Sequence, residues 1–285
     1  MLWPTAAPFA AAITFDMDAD SLIHANDPDG WKRPYAISMG QYGPTVGVPR
    51  ILETYRRLGM KQTFFIPGWC ARTYPHAVEA ILKGGHEIGC HGWIHENPSA
   101  RTPAEQAEDL DRALEALAAF SGTRPRGYRA PVYLLTNDTP GLLSDRGFAY
   151  DSSMMADDQP YALDLGGRTL IEIPTHWGID DWPPFAHFAE IGYMMPVRGP
   201  TEGLAPFFEE FEAARADGGL WHAVWHPFLT GRRARWQVVE RWLETVLTSG
   251  AWFATLGEIA DHAECLRRAG TLRTLPFPTY AERQT

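Results

Sequence analysis

Short apolar runs alternate with segments of helical periodicity from one end of the chain to the other, and this alternation restricts the fold more than any other feature. Apolar runs at residues 11–16, 62–66, 87–90, 127–129, 148–152, 170–174, 220–225 and 252–255 read as strands. Helical patterns occupy residues 48–58, 75–83, 103–120, 203–216 and 235–248. Repeated β/α units of this kind predict an α/β fold, and no linker, repeat or low-complexity tract divides it. One domain spanning residues 1–285 is expected, and 45% apolar content is enough for a sizeable core.

In parallel barrels and open α/β sheets the active site lies where the loops leave the C-terminal ends of the strands. Two connections are long for a compact domain, residues 18–45 and 178–201, and both are rich in aromatics, Pro and Gly. Loops of this length usually carry function or form interfaces.

Charge and cysteine content exclude several classes. The net charge is −10, and the 25 basic residues form no run beyond residues 231–235, so no nucleic-acid partner is expected. Nowhere do 18 apolar residues follow one another, which excludes a membrane-spanning helix from the expectation. The N-terminal residues lack the basic start of a secretion signal, and Cys70, Cys90 and Cys265 lack the spacing of a disulfide framework or zinc ribbon. A cytoplasmic location is the simplest expectation.

Four residues suggest chemistry by their spacing. Asp16 and Asp18 are two apart at the end of a strand, so both side chains can leave one face. Two such carboxylates repel unless a cation or donor lies between them. His91 and His95, after the run at 87–90, are four apart, a spacing that on one helical turn puts both rings on one side. Two imidazoles and a carboxylate with open positions form the donor set of a catalytic metal centre rather than a structural one. Zinc is the first expectation for this divalent ion, and cobalt, nickel, manganese or iron would also suit the donors. Haloacid-dehalogenase-like phosphatases share the Asp-x-Asp start but need a downstream lysine and then an acidic pair, and here the only lysines, Lys32, Lys61 and Lys83, have no suitable strand-end setting.

Five segments taken together resemble the polysaccharide deacetylase superfamily, carbohydrate esterase family 4, in the family's own order over roughly residues 10–257. The resemblance implies a distorted (β/α) barrel of about seven strands. It implies that Asp16 is the catalytic base, that Asp18, His91 and His95 hold the metal, and that Arg129 in Tyr128-Arg129-Ala130-Pro131 orients the base. Asp181-Trp182 looks like the family's Asp-Trp segment, and His226 in Trp225-His226-Pro227 like its late general acid, held by Asp181. A backbone N–H near Val132 would receive the developing oxyanion, and Trp182 would line the substrate site. No role is assigned to His222, which shares a strand face with His226, or to Cys90.

Two departures mark a branch. Met17 stands where the family usually has a second Asp, and Val132 where it usually has Tyr after the proline. These features are similar to an intracellular branch that includes peptidoglycan-deacetylase-like proteins, cyclic imide hydrolases and allantoinases. The implied reaction is metal-dependent hydrolysis of a non-peptide carbon–nitrogen bond, with acetyl removal from an N-acetylated sugar or related amide as the first reading. Opening of a cyclic imide or ureide is the second. The branch also implies a homo-oligomer, a tetramer. Aromatic residues in the two long connections, among them Trp31, Tyr35, Tyr42, Trp182, Phe185, Phe188 and Tyr193, are expected to wall a small pocket over the metal.

Overall fold

The computed structural model describes residues 3–189 and 192–278. Among them ten strands join one sheet. In chain order they are β1 (Ala10–Asp16), β2 (Thr63–Ile66), β3 (Glu87–Cys90), β4 (Gly127–Tyr128), β5 (Tyr150–Asp151), β6 (Tyr161–Asp164), β7 (Thr169–Glu172), β8 (Leu220–Trp225), β9 (Trp252–Phe253) and β10 (Thr274–Pro276). The spatial order is β10-β6-β7-β5-β4-β3-β2-β1-β8, with β9 also pairing to β1. Every pairing from β7 through β5, β4, β3, β2 and β1 to β8 is parallel, so seven neighbouring strands make the parallel core.

All seven residues of β1 are buried, as a central parallel strand covered on both faces requires. Phe15 stacks on Phe64 at 5.1 Å and meets Trp225 edge-on at 6.0 Å, so paired positions on three neighbouring strands pack their aromatic rings together. The hydrogen-bonded ladder stays open between β7 and β8. There an isolated bridge from Asp180 to Val224 lays the chain leaving β7 against β8.

The helices at Val48–Leu58 and Pro75–Lys83 have the bounds expected from the pattern. The one at Pro103–Ser121 begins with a reciprocal Thr102–Glu105 capping box and ends at Gly122 in the left-handed region, φ 71. Residues 18–45 are not the irregular loop expected, because Ser21–Asn26 and Pro34–Tyr42 are α-helical and Gly43–Gly47 is one π turn. The reason is close packing. A Cβ on Gly40 would lie 2.6 Å from the backbone of Ala19 and Asp20, so only glycine lets this helix press against the turn that presents Asp18. The other long connection, 178–201, contains a short helix at Trp182–Phe185 and a Phe188–Tyr193 bridge; residues 190 and 191 within it lie outside the described residues. Among the described residues no helix is long and apolar enough to cross a membrane.

Candidate active site

Asp16 ends β1 and Asp18 follows it, both buried at the C-terminal edge of the sheet. His91 leaves β3 directly. Gly92 then adopts φ 72, and Gly68 N and Trp69 N donate to the carbonyls of Gly92 and Trp93 at 3.0 and 2.7 Å. Residues 91–95 therefore form no helical turn, contrary to the expectation from their spacing. The left-handed glycine breaks the helical path, and the pinned turn still brings both rings to Asp18.

The geometry there is that of acceptors facing one another. His91 Nε2 lies 3.4 Å from Asp18 Oδ1, and His95 Nε2 lies 3.4 Å from Asp18 Oδ2. His91 Nδ1 sits 2.8 Å from the Arg129 carbonyl, which can only accept, so Nδ1 carries the proton and Nε2 presents a lone pair to the carboxylate. Both Asp18 oxygens are buried and have no hydrogen-bond partner among the described residues. Burial opposes ionisation of Asp18, but the neighbouring His95, His226 and His91 rings together hold it well below the ordinary carboxylate range. Ligand atoms bound at about 2.0–2.1 Å in a tetrahedron stand about 3.3 Å apart, so the spacing and the orphaned lone pairs fit a divalent cation.

A second cluster, Asp180, Asp181 and His226, also brings its ligating atoms within 4.8 Å of one another. Its oxygens already have donors. Asp181 accepts His226 Nδ1 at 2.6 Å, the His226 amide at 3.0 and 3.1 Å and the Thr230 amide at 3.0 Å. Asp180 accepts the Trp182 amide at 2.7 Å and the Tyr133 hydroxyl. These carboxylates are committed to holding His226 and the pocket wall, which sets them apart from Asp18.

His226 lies beyond the end of β8, with Nε2 3.4 Å from Asp18 Oδ2, an ionic approach without hydrogen-bond geometry. Burial disfavours its charge, yet Asp181 first and then Asp18 raise the ring well above the ordinary histidine range. Trp182 meets the ring edge-on at 5.7 Å and stacks on Phe188 at 5.3 Å, which limits how the imidazole can turn. Gly47 permits the Pro227 carbonyl to approach, since a Cβ there would lie 2.3 Å from that oxygen.

Arg129 follows β4 and is wholly buried. Its Nη1 donates to Asp16 Oδ1 at 2.7 Å. Burial opposes its charge, and Asp16 outweighs that, so the guanidinium is held above its ordinary range.

Asp16, His91, His95, Val132, Trp182 and His226 share one cavity of about 490 Å³. Asp18, Arg129 and Asp181 stand directly behind it, so all nine residues expected from the sequence lie in one place. Val132 has φ 56, a position where a β-branched residue stores about 1–3 kcal/mol of strain. The flanking turn bonds run from Tyr133 N to the Ala130 carbonyl and from Leu134 N to the Pro131 carbonyl.

The pocket walls differ from the expectation. Trp182 and Tyr193 line it, joined by Tyr133 and Trp177. Trp31 and Tyr35 are 66% and 61% exposed and do not line it, Tyr42 lies under Arg232, and Phe185 and Phe188 are buried in the core. The helices in 18–45 turn the first aromatics outward, which alternation alone could not reveal. Asp180 was also passed over. It is buried, lines the cavity, and is raised by burial to about 6. Its sequence signal was its place beside Asp181 at the start of the Asp-Asp-Trp-Pro-Pro segment, residues 180–184.

The matches to known proteins follow this geometry. The family model for polysaccharide deacetylase matches residues 35–150, which includes His91, His95 and Arg129. A peptidoglycan deacetylase of Helicobacter pylori is 28% identical over 283 residues, covering 87% of this chain and 94% of its own. The crystal structure of Puue allantoinase, 21% identical, superposes with a TM-score of 0.78 over 92% of both chains and so shares the fold. A crystal structure from Mycobacterium smegmatis assigned as a polysaccharide deacetylase superposes with a TM-score of 0.91, 35% identity and 98% coverage of each chain. With identity at that level along the length of both molecules, the chain belongs to the polysaccharide deacetylase family.

Proposed function

We propose that this protein is a metal-dependent amide hydrolase that removes acetyl from an N-acetylated sugar or a related small amide. The observation that carries the reading is Asp18: a buried carboxylate whose oxygens have no hydrogen-bond partner among the described residues, faced by the Nε2 atoms of His91 and His95, between the Asp16–Arg129 and Asp181–His226 pairs. Asp18, His91 and His95 would hold the ion, zinc first by the chemistry of the donors. When bound in such a set, a divalent cation supplies polarisation of the scissile carbonyl and a lowered pKa for the attacking water.

The protein's own groups divide the remaining work. Asp16 Oδ1 is tied to Arg129, which leaves Oδ2 to take the proton of the attacking water. Charged His226, with Nδ1 fixed on Asp181, turns Nε2 toward the site and delivers a proton to the leaving nitrogen. The strained turn at Val132 supports an N–H donor at the carbonyl oxygen, and Trp182 packs beside the acyl group.

One observation favours a second reading, hydrolytic opening of a cyclic imide or ureide. The cavity of about 490 Å³ is walled by Tyr133, Trp177, Trp182 and Tyr193, a size and lining suited to a small ring. Metal analysis followed by parallel assays with an N-acetylglucosamine oligomer, succinimide and allantoin tests both. Acetate release supports the first reading, ring opening the second, and a metal-loaded protein inactive on all three would overturn the proposal.

A further inference from the structure

Arg129 has five N–H donors, and each has an acceptor. Nε donates to the Ser152 carbonyl at 3.0 Å; Nη1 donates to Thr14 Oγ1 at 2.8 Å and Asp16 Oδ1 at 2.7 Å; Nη2 faces Ser152 Oγ at 2.9 Å and His222 Nε2 at 3.0 Å. Only one acceptor is charged. Four N–H groups are satisfied without a second carboxylate, so Asp16 does not share its guanidinium with a competing anion.

His222 completes the set, and its state follows from its partners. A guanidinium can only donate, so Nε2 accepts; the Pro174 carbonyl, 3.1 Å from Nδ1, can only accept, so Nδ1 carries the proton. Thr14 Oγ1, 3.3 Å from Nε2, has its own donor position on the Ala223 carbonyl at 3.0 Å and does not compete. Burial first and the adjoining Arg129 second lower this ring to about 3, consistent with a neutral imidazole.

The ring also occupies a structural gap. His222 lies on β8, and Pro174 follows β7, the two strands between which no ladder forms. A cavity of about 370 Å³, lined by Thr175, His176 and His222 among others, borders the same seam. The Nδ1–H bond to Pro174 thus spans, by a side chain, a stretch of the sheet where backbone pairing is missing.

We propose that His222 is a positioning residue: through Nδ1 it ties β8 to the chain leaving β7, and through Nε2 it fixes the Arg129 fork that aims Asp16. The inference rests on the reading of Asp16 as the base, and it concerns a residue that itself touches neither metal ligand nor substrate cavity.

The test uses the metal-loaded protein and its His222→Leu and His222→Gln variants. Leu keeps bulk but loses the acceptor; Gln can place an amide oxygen near Nε2. The expected result is an about 10–100-fold loss of kcat in His222→Leu with KM and metal content little changed, and recovery of most of that loss in His222→Gln. Long-range proton–nitrogen spectra of the wild type should show a protonated Nδ1 and a bare Nε2 for this ring. Unchanged kcat in His222→Leu, equal loss in both variants, or an Nε2-protonated ring would each overturn the proposal. If the Leu variant does not fold, His222→Gln and the ring spectrum still decide. Asp16→Asn assayed alongside separates the two failures, because full turnover in that variant removes the functional reading while the tautomer still tests the placement of His222.

Discussion

His226 Nδ1 lies 2.6 Å from Asp181 Oδ1, and the same carboxylate accepts the backbone N–H groups of His226 and Thr230. One buried side chain therefore both orients an imidazole and anchors the loop after β8. Asp181→Ala strands these buried donors, and each unsatisfied donor costs about 1–3 kcal/mol. Asp181→Asn keeps an acceptor but removes the charge that raises His226. We expect the Ala variant to unfold at clearly lower urea, and the Asn variant to stay nearer wild type while losing most turnover. An Ala variant as stable as wild type would show that this carboxylate does not anchor the loop.

Metal content should separate Asp16 from Asp18. His91→Ala, His95→Ala and Asp18→Asn are expected to lose metal and activity together with little change in the far-ultraviolet circular dichroism, because the three side chains lie beyond strand ends. Asp16→Asn should retain metal and lose about 10²–10⁴ of turnover. Full metal occupancy in both histidine variants, or metal loss only in Asp16→Asn, would refute the assignment.

Stability should fall with acid through a histidine far from the cavity. His86 Nδ1 accepts the Gln62 amide at 3.1 Å, and burial, with Lys61 adding to it, lowers the ring to about 4 against an ordinary 6.5. Below pH 6.5 the unfolded chain binds the proton that the folded ring refuses, so stability rises with pH across this window. The contribution is fully present above about 6.5 and lost as pH falls toward 4. His86→Asn keeps an acceptor near Nδ1 but cannot titrate. We expect wild type to lose denaturation midpoint relative to this variant between pH 6.5 and 4; parallel curves would exclude the effect.

Substrate length should matter. The cavity of about 490 Å³ is bounded by Trp177, Trp182 and Tyr193, so kcat/KM should fall from an N-acetylated monosaccharide or small ring to a long chitin-like oligomer. Trp177, which is 47% exposed at the rim, can be tested directly: Trp177→Ala should narrow that difference. Equal or better turnover of the long oligomer by the wild type would refute a small-ligand pocket.

Much of this was legible locally. The eight expected strands all form, because buried parallel strands need unbroken apolar runs and β1, with seven buried residues, is such a run. The helix at Pro103–Ser121 announces itself by Thr102 and Glu105, whose capping box depends only on neighbours three apart. Asp16, Asp18, His91 and His95 were visible because each pair sits close in sequence at a strand end, and Arg129, Asp181 and His226 through their resemblance to family motifs.

What the tertiary structure decided lies at the edges and across the seam. Strands β6 and β10 were not expected because they extend the sheet past its parallel core, β6 antiparallel to β7 and β10 beyond it at the edge, where short polar-ended segments suffice. The helices within 18–45 depend on Gly40 meeting the backbone of Ala19, a contact no periodicity encodes. Asp180 enters the pocket, and His222 reaches Arg129 from 93 positions away, only because β8 lies beside the chain leaving β7. Apolar patterning and short-range spacing act within a few residues and are written in the sequence directly; which polar groups share a buried neighbourhood is set by long-range packing, where each donor must find its acceptor in the folded chain.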